Sequence, residues 1–105
     1  MITVRFFNDG ELLAGFSVSG HAGLAEMGKD ILCSAVSSAA YMAANTLIEV
    51  CKVECETEVS DGFMEIRPKD TDSESVQTVL KGLSLHLREL STQYPKQMKV
   101  IYGGK

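Results

Sequence analysis

Ile2-Thr3-Val4-Arg5-Phe6-Phe7-Asn8-Asp9-Gly10-Glu11-Leu12-Leu13-Ala14-Gly15-Phe16-Ser17-Val18-Ser19 decides the class of fold. In its first half Ile2, Val4 and Phe6 fall on one side and Thr3, Arg5 and Phe7 on the other, the two-residue period of a strand. Asn8-Asp9-Gly10 tolerates the left-handed backbone of a tight turn. Alternation then resumes, with Leu12, Ala14, Phe16 and Val18 opposite Leu13, Gly15, Ser17 and Ser19. The stretch reads as a β-hairpin.

Outward from it, Gly20 to Asp30 carries three glycines and no strand pattern, so it reads as a loop, with room for one helical turn at Leu24 to Met27. Loops this long in a small domain are often functional. Ile31 to Val50 reads as a helix, from the 3- and 4-residue steps Ala35, Ala39, Met42, Ala43, Leu47 and Val50. Small residues crowd its first two turns, and Asp30 stands where an N-cap belongs. Lys52 to Val59 alternates again: Val53, Cys55, Thr57 and Val59 against Lys52, Glu54, Glu56 and Glu58, a face that must be wet. Ser60-Asp61-Gly62 turns the chain into Phe63 to Pro68. Asp72 or Ser73 caps an amphipathic helix marked by Val76, Val79, Leu80, Leu83, Leu87 and Leu90, which ends before Pro95. Gln97 to Tyr102 makes a last strand. The sum is an α+β two-layer sandwich: about five strands, antiparallel or mixed, with two helices on one face. An exposed sheet face or edge is a natural dimer surface.

One domain spanning 1–105 is expected, since a second needs roughly another 100 residues. The composition, 45% hydrophobic and 23% charged, suits a globular chain rather than a disordered one. No uninterrupted apolar run reaches the ~18 residues of a membrane span, and Met1 to Asn8 lacks the features of a signal peptide. A cytoplasmic protein without membrane contact is therefore expected. The net charge of −4 argues against direct nucleic-acid binding and leaves a basic protein as a suitable partner. Cys33, Cys51 and Cys55 are expected to be reduced thiols.

Chemistry is expected first at His21 and Cys33. A cysteine attacks as thiolate, and a helix start stabilises that anion through unpaired N–H groups and the helix dipole. A nearby imidazole stabilises it further and can protonate a leaving amine. Asp30 could orient His21 or cap the helix. Each assignment has a plainer rival, a buried small thiol for Cys33 and a turn histidine for His21. Cys55 reads as core packing, His86 as solvated, and Glu54, Glu56 and Glu58 as a solvated strand face. A metal site lacks paired ligand spacing, no phosphate-loop motif follows Gly28, and no Cys-x-x-Cys pair supports redox chemistry; no cofactor is implied.

Gly20-His21-Ala22 and Gly28-Lys29-Asp30-Ile31-Leu32-Cys33-Ser34-Ala35-Val36-Ser37-Ser38 resemble the bacterial ribosomal-processing cysteine protease family, Prp. Ser34 stands where the family commonly has alanine. The resemblance implies a cytoplasmic endopeptidase with a Cys/His dyad, acting on the N-terminal extension of large-subunit ribosomal protein twenty-seven. It implies Cys33 as nucleophile, His21 as base, and Gly20, Asp30 and Ser37 as supporting residues. It also implies a homodimer and a lid between His21 and Cys33. Gly23 and Gly28 bracket that segment, and Leu24 and Met27 are its apolar contacts for substrate. An apolar pocket is expected near Cys33, with Ala35, Ala39 and the small serines leaving room for it. The alternative is a non-enzymatic ribosome-associated or ribosome-assembly binding protein.

Overall fold

The computed structural model describes residues 1–20 and 31–104. Among them the order is β1 (Ile2–Asp9), β2 (Leu12–Ser19), α1 (Ile31–Asn45, continued by a π-helical stretch Thr46–Val50), β3 (Cys55–Ser60), β4 (Phe63–Pro68), α2 (Glu74–Gln93) and β5 (Met98–Tyr102). The sheet runs β3-β4-β2-β1-β5. β1 pairs with β2, β2 with β4 and β3 with β4, all antiparallel, while β5 lies parallel to β1. β2 and β3 therefore run the same way, as do β4 and β5. Each pair is joined through a helix, and such crossovers have a fixed hand, so both helices fall on one face. The α+β sandwich expected from the sequence is the fold observed.

The core lies between the layers. Ile2, Val4, Phe6, Phe16, Met64, Ile66 and Met98 of the sheet meet Leu32, Val36, Ala40, Ala43, Ala44 and Leu47 of the first helix and Val76, Leu80, Leu83 and Leu87 of the second. Tyr102 stacks on Phe6 with ring centroids 5.6 Å apart and hydrogen-bonds Ser84 through its hydroxyl. On the other face Phe7 is also buried, because the Arg67 guanidinium lies 3.7 Å above its ring and is steadied by Glu65 at 3.0 Å.

Three local readings are corrected. In β2, strict alternation puts Leu13 opposite Phe16, yet both are buried in the same core. The ladder pairs Phe7 with Gly15 but Asn8 with Leu13, so Ala14 is an extra residue and the phase slips by one. The buried side of α1 is Leu32, Val36, Ala40, Ala43, Ala44 and Leu47 rather than the row containing Met42 and Val50, which are 70% and 74% exposed. The third strand begins at Cys55 rather than Lys52. Beyond Cys55 both of its faces are exposed, as befits an edge strand of the sheet.

By length and a mean hydropathy of 1.5, Ile31–Val50 is apolar enough to cross a bilayer. In the fold it is the helix that covers the sheet, with Leu32, Val36 and Leu47 almost fully enclosed. Its last turn widens: the Cys51 N–H donates to the Thr46 carbonyl at 2.8 Å, and Lys52 turns the chain away with φ of 57°.

Candidate active site

Cys33 is the third residue of α1 as described, Ile31–Asn45. Four residues make roughly one helical turn, so Ser37 and Tyr41 stand above Cys33 on one side of the helix, with Ala40 beside them. That side faces away from α2 and toward the β3–β4 hairpin. Between them lies a cleft of about 230 Å³.

The cleft's floor is a row across three strands. Val18 pairs with Met64, and Met64 with Val59. The row passes from the core to the open edge, so its outer member is 54% exposed. The wall is Cys33, Ser37, Ala40 and Tyr41, and the far rim is Ser60, Asp61, Gly62 and Phe63 of the hairpin turn. Gly20 closes one end. Its φ of 86° lies in the left-handed region, and a Cβ there would collide with the Met1 carbonyl oxygen. Its N–H donates to the Gly62 carbonyl at 3.0 Å. The residue before His21 is thus tied both to the chain start and to the β3–β4 turn.

Of the residues expected at the site, Gly20, Cys33 and Ser37 are brought together on this cleft. His21, Gly23, Leu24, Met27, Gly28 and Asp30 lie outside the described residues. A cleft with an apolar floor and a polar rim lies beside Cys33, but Ala35 and Ala39 do not line it. They face a second, apolar groove of about 790 Å³ between α1 and α2, with Ser38, Met42, Val79 and His86. The reason is rotational: positions 35, 39 and 42 fall on the flank toward α2, and 33, 37 and 41 on the flank toward the hairpin. Sequence reasoning missed Tyr41, Val59, Asp61, Phe63 and Met64. Spacing from Cys33 points to Tyr41; the other four reach the cleft only through strand pairing.

The remaining candidates behave as surface or packing groups. Burial pushes the Cys55 thiol up from its ordinary value, which keeps it protonated. No disulfide joins Cys33, Cys51 and Cys55. Glu54, Glu56 and Glu58 are exposed, and the Lys69 ammonium 2.8 Å from Glu54 holds that carboxyl below the usual range. His86 is exposed on α2. Among the described residues, no three His, Cys, Asp or Glu side chains converge as metal ligands.

This arrangement can be set beside known proteins. The family described as cysteine protease Prp matches residues 1–99. A ribosomal processing cysteine protease Prp of Staphylococcus aureus is 27% identical over 97% of this chain and 99% of its own. The Bacillus subtilis protein of the same name is 26% identical over 93% and 92%. Among solved structures, the S. aureus protease with a covalently linked product peptide superposes with a TM-score of 0.89 at 27% identity, covering 97% of this chain and 99% of that one. A second S. aureus structure, with a substrate peptide, gives 0.86 at 25% identity and the same coverage. A Streptococcus mutans protein gives 0.81 at 27% identity, covering 99% and 96%. A match over nearly the whole length, in a fold that opens a helix-start cysteine onto a peptide-sized cleft, makes this chain a cysteine protease belonging to the Prp family.

Proposed function

We propose that the chain removes the N-terminal extension of large-subunit ribosomal protein twenty-seven, with Cys33 as nucleophile and His21 as general base. The observation that carries the reading is the place of Cys33, in the first turn of α1 and open to the cleft.

A peptide lying along the Val18–Met64–Val59 floor brings a backbone carbonyl toward Cys33. The thiolate, stabilised by the helix start and the His21 imidazolium, attacks the carbonyl carbon, and the electron pair moves onto oxygen. N–H groups at the start of α1 are the donors assigned to that oxyanion. Collapse breaks the C–N bond, and His21 passes its proton to the departing amine. Water, deprotonated by His21, then opens the thioester and returns the thiolate. Gly20 places the base through its fixed turn, Ser37 lines the wall beside Cys33, and Asp30 orients His21 or caps the helix. The apolar floor and Tyr41 take hydrophobic or aromatic side chains next to the bond that is cut.

The enzyme acts in the cytoplasm, where its thiols stay reduced, on a protein rather than on nucleic acid or a membrane. It works as a homodimer, for which the exposed apolar groove between α1 and α2 is a suitable face. Cleavage of a peptide spanning the extension, read by mass spectrometry, tests the reading. Wild type is expected to release two fragments, Cys33→Ala none, and His21→Ala orders of magnitude less per unit time. Equal turnover by wild type and Cys33→Ala refutes the chemistry.

A further inference from the structure

Among the described residues, the cleft beside Cys33 is lined by apolar, small and neutral polar groups with one carboxylate among them. That carboxylate is Asp61, at the tip of the β3–β4 hairpin. Among the described residues, no other charged side chain lines the cleft. Asp61 is solvent-exposed and, among the described residues, takes part in no ion pair or side-chain hydrogen bond. Neighbouring acids differ: Glu65 is held by Arg67 and Glu54 by Lys69. The turn is anchored, because Gly62 takes the left-handed conformation with φ of 72° and its carbonyl accepts the Gly20 N–H. The carboxylate is therefore carried on a fixed support at the rim of the cleft, across from the helix that bears the nucleophile.

We propose that Asp61 is a specificity-determining residue, accepting a lysine or arginine side chain of the substrate a few residues from the cut bond. The proposal rests on the reading of Cys33 as nucleophile in this cleft and names what the opposite rim selects. An apolar residue settles on Val59 and Met64, and the peptide then leaves the cleft past the hairpin tip. A cationic side chain at that point meets Asp61, whereas an acidic one meets a like charge. Selection of this kind acts mainly on association and on KM and weakens with salt.

The test is a peptide series with an apolar-aromatic centre and a single lysine moved through the positions on either side of the cut bond. Each lysine peptide has glutamine and glutamate counterparts. Wild type is expected to prefer lysine over glutamine at one position by about fivefold in kcat/KM, carried by KM, as befits an exposed ion pair. Asp61→Asn is expected to abolish that preference, and Asp61→Lys to reverse it in favour of glutamate. Cysteine-dependent cleavage whose lysine preference is the same in wild type and Asp61→Asn overturns the role of Asp61 alone. Cleavage that persists in Cys33→Ala overturns the active-site reading, and this inference with it.

Discussion

Replacing Gln77 by leucine removes the one side chain that holds the bulge in β2. Gln77 lies on α2, is 7% exposed, and makes three hydrogen bonds. Its Oε1 accepts the Leu13 N–H at 3.0 Å, and its Nε2 donates to the carbonyls of Leu13 and Thr71, each at 2.8 Å. Leucine has similar volume, so Gln77→Leu leaves little cavity and isolates the polar loss. Leu13 is 8% exposed, so both of its main-chain groups lose a partner where water does not readily replace it. Each orphaned group costs about 1–3 kcal/mol. Thr71 is half-buried, and its carbonyl can turn to solvent. Relief from no longer burying an amide offsets part of the loss, leaving about 3 kcal/mol of destabilisation. For a domain of this size that lowers Tm by roughly 15 °C. Urea unfolding followed by circular dichroism reads the change as a lower midpoint at constant slope. A variant within about 1 kcal/mol of wild type would show that these bonds add nothing over water and would refute the reasoning.

Gly20→Ala forces a side chain into left-handed backbone and against the Met1 carbonyl. It should cost about 3 kcal/mol in thermal melts and lower kcat/KM at least tenfold, since His21 is the next residue; wild-type melting and turnover together would contradict it. Burial raises the Cys55 thiol, so at about pH 8 it is less ionised than an ordinary cysteine. Iodoacetamide should therefore label Cys33 ahead of Cys55 in a timed mass-spectrometric experiment, and the reverse order would place the reactive thiol elsewhere.

Periodicity along the chain was enough to establish the two hairpins, both helices and the last strand, because strand and helix repeats are local properties of side-chain placement. The Cys33 signal was legible too, since a helix start is marked by what flanks it in sequence. The face of α1 that is buried was not legible. Alanines at 35, 39, 40, 43 and 44 surround the helix, so the rotation was decided by which of them the sheet and α2 could approach. The Ala14 bulge was hidden as well. Leu12, Leu13 and Ala14 are all apolar, and Gln77, 64 residues away from Leu13 in sequence, holds the phase that puts Leu13 in the core. The rim that faces Cys33 belongs to residues 59–64, which come near it only because β4 pairs with β2 and carries β3 on its other side. Sequence by itself determined the elements and singled out Cys33 as the candidate nucleophile. Tertiary structure decided the cleft, because the wall opposite a reactive group is built by non-local strand pairing, and that pairing leaves no local periodicity to read.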